Sequence, residues 1–413
     1  MKHILFITSE KLNPTHQVTS IFELAQARAI RKQYKVNILS VDYRGSFEAT
    51  GKSFIKSSLR LELHVCLKYL KECLKSALYL SGIKKWVNTY IIDDICVTES
   101  QCYSFSIFNT LEDQIKNWCK GGWIAVNEIL ANKGKPDVVH AHGRFLFAGY
   151  LAYQIKMKIN IPYIYTEHST YYRTGRAPKE AKAYLNEVLN EANQIIFVSE
   201  ALKKDVEIFL DSPIHFSKIV PNVLHEIFEE EIYPSRRLEG FQFISVGALE
   251  YKKGFDVLIR AFQTAFEGDT SVRLLIVGDG TEEKSLKELV MKLRVTNIEF
   301  ARQQPKEMIK QFLDDSDAFV LASRVETFGV VIIEALARGL PVLATRCGGP
   351  EFFLSADRGI LVEPEEVNEL VESLRKIRHE IDRYNPITLH TDAVNEFGHI
   401  AFLNRMKLIY DST

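Results

Sequence analysis

The chain lacks an excess of charge of either sign. Its 413 residues carry 52 lysines and arginines against 53 aspartates and glutamates, for a formal net charge of −1. A nearly neutral chain has no global basic field that would attract nucleic acid or acidic polymers. The composition therefore predicts no nucleic-acid partner, and any charged binding patch has to be local.

Long apolar runs are missing as well. No stretch approaches the roughly 18 consecutive apolar residues that a membrane-spanning helix needs. The first apolar run, at residues 4–7, is too short for the core of a signal peptide and indicates a first strand. These observations predict a cytoplasmic protein, with the inner face of the membrane as an open alternative.

Cysteines are few, and none stands in a metal-binding pattern. The six cysteines include no Cys-x-x-Cys pair, which argues against a zinc site or a redox motif. The one Asp-x-Asp pair, Asp315 and Asp317, lies directly before an apolar strand, where acidic residues commonly end a solvent-facing helix. We therefore expect no metal and no cofactor.

What the sequence does contain is a regular alternation of strand and helix patterns, typical of βαβ units and parallel sheets. We predict an α/β fold with two doubly wound, Rossmann-like domains. The strands predicted in the second half are 241–246, 273–277, 297–300, 318–321, 341–344 and 359–362. Those predicted in the first half are 4–8, 36–41, 137–141, 163–166 and 194–198.

The domain boundary is expected near Pro221 and Asn222, before an acidic surface stretch. We assign the N-terminal domain to residues 1–222 and the C-terminal domain to residues 223–390. The remaining segment, 391–413, contains a helical pattern at 395–410 after the strands have ended. We expect this helix to pack back on the N-terminal domain.

Two glutamates bracket an apolar run that follows a glycine turn. Glu326 precedes a helix that Phe328 and Gly329 open, and Glu334 lies about two turns further along. Free N–H groups at a helix start attract phosphate, and carboxylates accept hydrogen bonds from sugar hydroxyls. The pattern indicates a grip on a sugar nucleotide, although alone it also describes an ordinary amphipathic helix with solvated glutamates.

Glycine turns at the ends of other strands support the interpretation as a sugar-nucleotide site. Gly247 and Lys253 follow the first strand of the second half, at the sheet edge where ligands of α/β folds bind. A lysine ammonium there would meet a diphosphate as a point charge. Gly278 and Gly280 end the next strand and permit close approach to a planar base, while residues 348–351 form another tight turn.

Histidines end two neighbouring strands of the first half. His142 closes the sequence Asp-Val-Val-His-Ala-His, and His168 follows the next predicted strand. A single histidine is usually structural, whereas two at adjacent strand ends also fit a binding site. Both interpretations stay open at this point.

Taken together, these motifs resemble the retaining glycosyltransferases of family 4, which are GT-B proteins with two Rossmann-like domains facing each other across a cleft. The resemblance is strongest over residues 245–351, where Val-Gly-x5-Lys-Gly, Gly-Asp-Gly, Glu-x-Phe-Gly-x4-Glu and Gly-Gly-x-Glu occur in order. In the first half, Val198-Ser-Glu and Pro221-Asn222 look like family landmarks. Residues 45–135 show little match, as expected of a variable acceptor-side region.

The resemblance implies a role for each matched residue. Lys253 would contact the donor diphosphate, Glu334 the ribose and Glu326 the transferred sugar, while His142 would face the sugar near the reacting carbon. The implied catalytic residues are His142, Glu326 and Lys253; the donor-binding residues are Lys253, Gly247, Gly278, Gly280, Glu326, Phe328, Gly329, Glu334 and His16; and the acceptor-side candidates are His168, Arg173 and Arg176.

The implied activity is transfer of a sugar from a nucleotide-sugar donor, with UDP as the expected nucleotide, to a glycan or lipid-linked acceptor. The resemblance also implies retention of anomeric configuration, independence of metal and a place in cell-surface polysaccharide or glycolipid assembly. A helix N-terminus and a lysine can stabilise the leaving group as a metal ion would. Two alternatives stay open: a sugar-nucleotide epimerase of the same fold, and a catalytically degenerate partner subunit.

Two positions depart from the family pattern. Ala248 stands where the family usually has an arginine, and we predict that Lys252, Arg324 or Arg346 supplies the missing charge. In the first loop, residues 13–16 replace the family's glycine pair, so that either their side chains turn aside or His16 contacts the donor.

Residues 52–85 differ from the rest of the chain in their pattern of leucines and lysines. Leucines recur there at helical spacing while the other faces are rich in lysine, which predicts a basic amphipathic helix. Such a helix could lie on an anionic membrane or line a groove for an anionic acceptor. A core helix of the first domain with a solvated lysine face is the favoured alternative.

Overall fold

The structure, a computed structural model, describes residues 1–9, 12, 21–45, 87–104, 110–143, 145–233 and 240–413. The predicted basic helix at 52–85 and the loop 13–16, which includes His16, lie outside the described residues. The described residues form two α/β domains, each built around one twisted sheet.

The N-terminal sheet has the strand order β3-β4-β2-β1-β5-β6-β7-β8 among the described residues. All neighbours in it are parallel except β3 and β4, which form an antiparallel hairpin at the edge. The strands are β1 (His3–Thr8), β2 (Lys35–Gly45), β3 (Val87–Ile92), β4 (Ile95–Ser104), β5 (Val138–Gly143), β6 (Tyr163–Glu167), β7 (Gln194–Phe197) and β8 (Ser217–Ile219). The helices are α1 (Ile21–Ile30), α2 (Leu111–Asn132), α3 (Phe147–Ile159), α4 (Ala181–Glu191) and α5 (Glu200–Leu210).

The C-terminal sheet is parallel throughout and has the strand order β11-β10-β9-β12-β13-β14. Its strands are β9 (Phe241–Val246), β10 (Val272–Val277), β11 (Ile298–Phe300), β12 (Ala318–Leu321), β13 (Val342–Thr345) and β14 (Gly359–Val362). The helices around it are α6 (Phe255–Ala265), α7 (Glu283–Lys292), α8 (Lys306–Asp314), α9 (Val330–Ala337) and α10 (Val367–His379). This strand order places the topological switch point between β9 and β12.

Buried parallel strands explain why the sequence shows continuous apolar runs. Strands β12 and β13 are buried at every position, because helices cover both faces of the C-terminal sheet. The N-terminal sheet has a different core on each face. One of these cores is completed by residues from the very end of the described chain: Phe402, Met406, Ile409 and Tyr410.

The last two helices carry the chain from the second domain back to the first. Helix α11 (Pro386–Phe397) packs on α9, and α12 (His399–Ser412) packs on α1 of the N-terminal domain. The predicted return of a C-terminal helix to the first domain is therefore confirmed.

The helical pattern predicted at 395–410 belongs to two helices, because the helix breaks at Gly398 between α11 and α12. The backbone of Gly398 is extended, with φ −69° and ψ 171°. The backbone N–H of His399 donates to the Glu229 carboxylate at 2.8 Å, and this contact satisfies the start of α12. Among the helices described, none has both the length and the apolar character to cross a membrane.

Candidate functional site

The candidate site lies at the switch point of the C-terminal sheet, where the loops after β9 and β12 diverge. The loop after β9 leads through Gly247 to a 3₁₀ turn at Tyr251–Lys253. The loop after β12 leads through Ser323 to Glu326. Open α/β sheets bind ligands in this kind of crevice.

Lys253 and Glu326 are in direct contact across these two loops. The Lys253 Nζ lies 2.5 Å from the Glu326 Oε1, and both side chains are largely shielded, at 19% and 11% exposure. The Ser323 hydroxyl donates to the same carboxylate oxygen at 2.9 Å. The structure thus brings together the residues predicted to hold the diphosphate and the transferred sugar, and the Lys253 ammonium already has a negative partner.

The glycine turns let the neighbouring loops pack backbone against backbone. A Cβ atom at Gly278, whose φ is +146°, would lie 1.9 Å from the Gly247 carbonyl oxygen. A Cβ at Gly280 would lie 2.4 Å from the carbonyl oxygen of Leu249. Any side chain at either position would therefore force the two loops apart.

Helix α9 starts close to Glu326 without a side-chain cap. Gly329 takes the N-cap position with φ +91°, and no side-chain cap bonds the first turn in the part of the chain that the structure describes. Phe328 is buried, with its ring centroid 5.0 Å from that of Phe353. The ring therefore anchors the helix start, while the first backbone N–H groups stay available to an anion.

Glu334 is buried on α9, with 1% of its surface exposed. One carboxylate oxygen pairs with the ammonium of Lys306, the first residue of α8. That ammonium also lies 5.4 Å from the centroid of the Phe228 ring. The other oxygen, Oε2, has no hydrogen-bond partner in the structure, so it keeps an acceptor for a further donor.

Each of the three cations proposed to replace the family arginine at Ala248 has a carboxylate partner. Lys252 lies 3.0 Å from Glu250, and Arg346 lies 3.2 Å from Glu363. Arg324 contacts both Asp256, at 3.0 Å, and Glu365, at 2.8 Å.

Arg324 has a second set of contacts, with the turn that carries Lys253. Its guanidinium donates to the Tyr251 carbonyl oxygen at 2.5 Å and lies 3.9 Å from the Tyr251 ring centroid. The hydrogen bonds to Asp256 raise the pKa of Arg324 above its already high ordinary value. Arg324 therefore supports the position of Lys253, and its part in charge compensation stays a prediction.

In the N-terminal domain, three buried histidines line the ends of β5 and β6. The His142 Nδ1 lies 3.2 Å from the His168 Nε2, whereas the His142 Nε2 has no hydrogen-bond partner in the structure. Burial, reinforced by His140 and His168, lowers the pKa of His142 well below its ordinary value. A neutral imidazole at this place can exchange hydrogen bonds with a ligand hydroxyl.

His140 has a structural role that its place in the motif did not reveal. Its Nδ1 lies 2.7 Å from the Tyr410 hydroxyl, and its Nε2 lies 2.8 Å from the Thr166 hydroxyl. Burial lowers the pKa of His140 to about 3, with a smaller contribution from His168. His140 thus ties the central strand β5 to helix α12.

Of the two arginines predicted on the acceptor side, Arg173 contacts the C-terminal domain. Its guanidinium donates to the Asp205 carboxylate at 2.8 Å and to the Cys347 carbonyl oxygen at 2.6 Å. Arg176 is exposed, and its backbone N–H donates to the Tyr171 carbonyl at 3.0 Å.

Sequence reasoning did not single out Glu167, which organises the segment before Arg173. The buried carboxylate accepts hydrogen bonds from the hydroxyls of Tyr165 and Tyr172 and from the backbone N–H groups of His168 and Ser169. Burial raises the pKa of Glu167, although these donors oppose the shift. Glu167 stands next to His168 in the sequence, but the hydrogen-bond partners of its carboxylate are apparent only in the folded chain.

The Asp-x-Asp pair lies away from this site. The Asp317 carboxylate accepts the backbone N–H of Gln242 at 2.7 Å, next to the start of β9. This contact is at the amino ends of the strands, opposite the edge that carries Lys253 and Glu326. It links β9 and β12 where they begin.

Two family models match the chain. Residues 229–386 match the model for glycosyl transferases group 1, and residues 109–222 match the model for glycosyltransferase family 4. An uncharacterized glycosyltransferase of Methanocaldococcus jannaschii is 28% identical over 58% of this chain and 65% of its own length. The chain thus spans just under two thirds of that curated relative.

Solved structures match over the whole length. Sucrose-phosphate synthase from Thermosynechococcus elongatus superposes with a TM-score of 0.71 at 17% identity, covering 100% of this chain and 99% of that one. Anabaena HepE in complex with UDP superposes with a TM-score of 0.68 at 16% identity and covers 100% of both chains. These likenesses confirm the predicted fold class.

Proposed function

Because the chain belongs to the GT-B glycosyltransferases of the family 4 type, we propose that it transfers a sugar from a nucleotide-sugar donor to a glycan or lipid-linked acceptor. The observation that carries this proposal is the Lys253–Glu326 contact beside the uncapped start of α9. At this place the sheet has its topological switch point, where nucleotides bind in α/β folds. The site combines a cation, free backbone amide donors and a carboxylate.

The donor diphosphate would bind between the Lys253 ammonium and the first turn of α9. The helix end supplies about half a positive charge, and the lysine supplies one more. The negative phosphates would compete with Glu326 for Lys253, so donor binding would release the carboxylate. The freed Glu326 could then accept hydrogen bonds from hydroxyls of the transferred sugar.

The ribose would lie over Glu334. Its Oε2 is buried and has no partner among the described residues, and a ribose diol offers two hydroxyl donors. Lys306 pairs with the other oxygen of the same carboxylate and so fixes its position. In this arrangement, helix α9 would contact the diphosphate through its first turn and the ribose through Glu334.

The two domains would divide the chemistry between them. Lys253 and the α9 amides stabilise the negative charge that develops on the departing nucleotide, in the role that a metal ion plays elsewhere. His142 faces the sugar as a neutral hydrogen-bonding group, because burial disfavours its charged form. We propose a retaining reaction in which the donor phosphate helps to deprotonate the acceptor, by analogy with the family.

UDP is the nucleotide that we would test first, and the structure of HepE was determined in complex with UDP. Cell-surface polysaccharide or glycolipid assembly at the cytoplasmic face of the membrane is the proposed setting. A thermal-shift screen of UDP, GDP and ADP would identify the nucleotide. A ligand at a hundred times its dissociation constant adds about 2.7 kcal/mol of stability.

The catalytic proposal is tested by the substitution Glu326→Ala. Loss of a charge-assisted hydrogen bond to the transferred sugar should lower sugar transfer or donor hydrolysis by about tenfold to a hundredfold. Measuring nucleotide release from the nucleotide sugar would show this. Glu267→Ala removes an exposed carboxylate from the same domain and should leave the rate unchanged. Equal rates for Glu326→Ala and the parent would remove Glu326 from the mechanism.

A further inference from the structure

We propose that Arg173, together with Ser199, fastens the N-terminal domain to the loop that carries Glu326 and thereby positions that carboxylate. The inference rests on the proposed function for the role of Glu326. It assigns Arg173 a task between the domains, beyond the acceptor-side contact expected from the sequence.

The first fastening runs through the Cys347 carbonyl oxygen. This oxygen accepts a hydrogen bond from the Arg173 guanidinium at 2.6 Å and another from the Glu326 backbone N–H at 3.0 Å. Glu326 also forms an isolated parallel bridge with Gly348. A side chain of the first domain thus shares an acceptor with the backbone of the proposed sugar-binding residue.

The second fastening lies one residue further along. The Ser199 hydroxyl donates to the Thr327 carbonyl oxygen at 2.6 Å, and it accepts from the Leu202 backbone N–H at 3.2 Å as the N-cap of α5. Ser199 therefore contacts the backbone directly after Glu326, while Arg173 contacts the Cys347 carbonyl that accepts the Glu326 backbone N–H. Both depend on the first domain lying against the second.

The residues around Arg173 hold its guanidinium next to the Cys347 carbonyl. The Asp205 carboxylate orients its guanidinium, and the buried Glu167 fixes the preceding segment through Tyr172. On the opposite side, Gly348 has φ +117°, and a Cβ there would lie 2.0 Å from the Arg173 Nη1. A side chain at residue 348 would therefore displace the guanidinium.

The consequence is a coupling between closure of the cleft and the alignment of Glu326. When the domains separate, both fastenings break: the Thr327 carbonyl loses the Ser199 hydroxyl, and the Cys347 carbonyl that holds the Glu326 backbone N–H loses the Arg173 guanidinium. Glu326 would then be held in place only when the acceptor side of the cleft is also in place. Arg173 acts here as a positioning residue, because its contacts are with backbone and Asp205.

Hydrogen exchange of the full chain without substrate tests this coupling. In Arg173→Ala the segment 323–329 should exchange about tenfold to a hundredfold faster, as expected for loss of a hydrogen bond from a charged donor. In Ser199→Ala it should exchange about twofold to tenfold faster, as expected for loss of a neutral hydrogen bond. Exchange in β10, in the interior of the C-terminal sheet, should not change. Lys179→Ala removes one exposed positive charge from the same region as Arg173 and should leave segment 323–329 unchanged. Gly348→Ala should reproduce the effect of Arg173→Ala.

Two results would overturn the inference. Unchanged exchange of segment 323–329 would mean that the bonds do not hold the loop, and faster exchange throughout both sheets would mean that Arg173 only stabilises the fold. If the loop loosens as expected but no nucleotide sugar is consumed, the proposed function fails while the fastening stands. In an active protein, Arg173→Ala should lower kcat with little change in UDP affinity, because the diphosphate contacts lie in the C-terminal domain.

Discussion

Lys306 and Glu334 form a buried ion pair, and substitution of one partner should lower the free energy of unfolding strongly. Both residues are buried, and the pair joins the start of α8 to the middle of α9. Removing one partner leaves a buried charge without compensation. Such a change costs much more than removal of the whole pair.

We predict that Lys306→Met lowers the free energy of unfolding of the C-terminal domain by about 3–5 kcal/mol. The double variant Lys306→Met with Glu334→Leu should recover most of this loss, because no unpaired charge remains. Urea denaturation followed by circular dichroism would measure both. Lys284→Met, at a lysine that is 90% exposed, should change stability by no more than about 0.5 kcal/mol. If Lys306→Met lowered the free energy of unfolding by as little as the Lys284→Met control does, the prediction would be contradicted.

The sequence revealed some of these residues and not others for a physical reason. Glu326 and Glu334 were found because one helix start fixes their relation over a short stretch of chain. Lys306 pairs with a residue 28 positions away, and Arg173 reaches an acceptor 174 positions away. No local pattern records contacts of that kind, since the tertiary fold alone brings the partners together.

At the scale of elements, the contact between His140 and Tyr410 decides how firmly α12 is held. Tyr410 is fully buried against the face of the sheet that also holds Phe6 and Ile38. Its hydroxyl is the partner of the buried His140 Nδ1. Loss of this hydroxyl would leave a polar ring nitrogen buried without a partner.

We predict that Tyr410→Phe destabilises the N-terminal domain by about 1–3 kcal/mol, the cost of leaving one buried polar group unsatisfied. Thermal unfolding with near-ultraviolet circular dichroism would measure the loss. Tyr233→Phe, at a tyrosine that is 84% exposed, is the matched control and should be nearly neutral. Equal melting temperatures for the two variants would show that α12 does not depend on this hydrogen bond.

The elements differ in how far the sequence predicted them. The strands of the C-terminal sheet were predicted to within one residue at either end, because buried parallel strands give short apolar runs between clear helices. The hairpin of β3 and β4 was missed. Its turn uses Asp93 and Asp94, both with positive φ, where a glycine would have signalled the reversal. The break at Gly398 was missed because its cap comes from the distant Glu229.

At the scale of the whole molecule, buried histidines make stability depend on pH. Burial lowers the pKa of both His140 and His225 to about 3, and it lowers that of His142 as well. In the unfolded chain these groups titrate near pH 6.5. Between pH 6.5 and pH 3 the unfolded state therefore binds more protons, and stability falls as the pH falls.

We predict that His140→Asn reduces the slope of unfolding free energy against pH by about 1.4 kcal/mol per pH unit below pH 6. Denaturation series between pH 7.5 and pH 5 would provide the slope for the variant and the parent. His215 is exposed, so His215→Asn is the control and should leave the slope unchanged. If His140→Asn retained the parental slope, protonation of His140 would not contribute to unfolding by acid.

The crossing of α12 from one domain to the other also constrains how the protein is made. The first domain takes part of its core from residues 402–410, which the ribosome adds after the entire second domain. During synthesis, the apolar face formed by α1 and β1 therefore stays exposed to solvent while about 180 further residues emerge. At ordinary rates of translation this takes on the order of ten seconds or more. A nascent chain halted after residue 222 should remain bound to chaperones, and a separately supplied peptide with the sequence of α12 should release it.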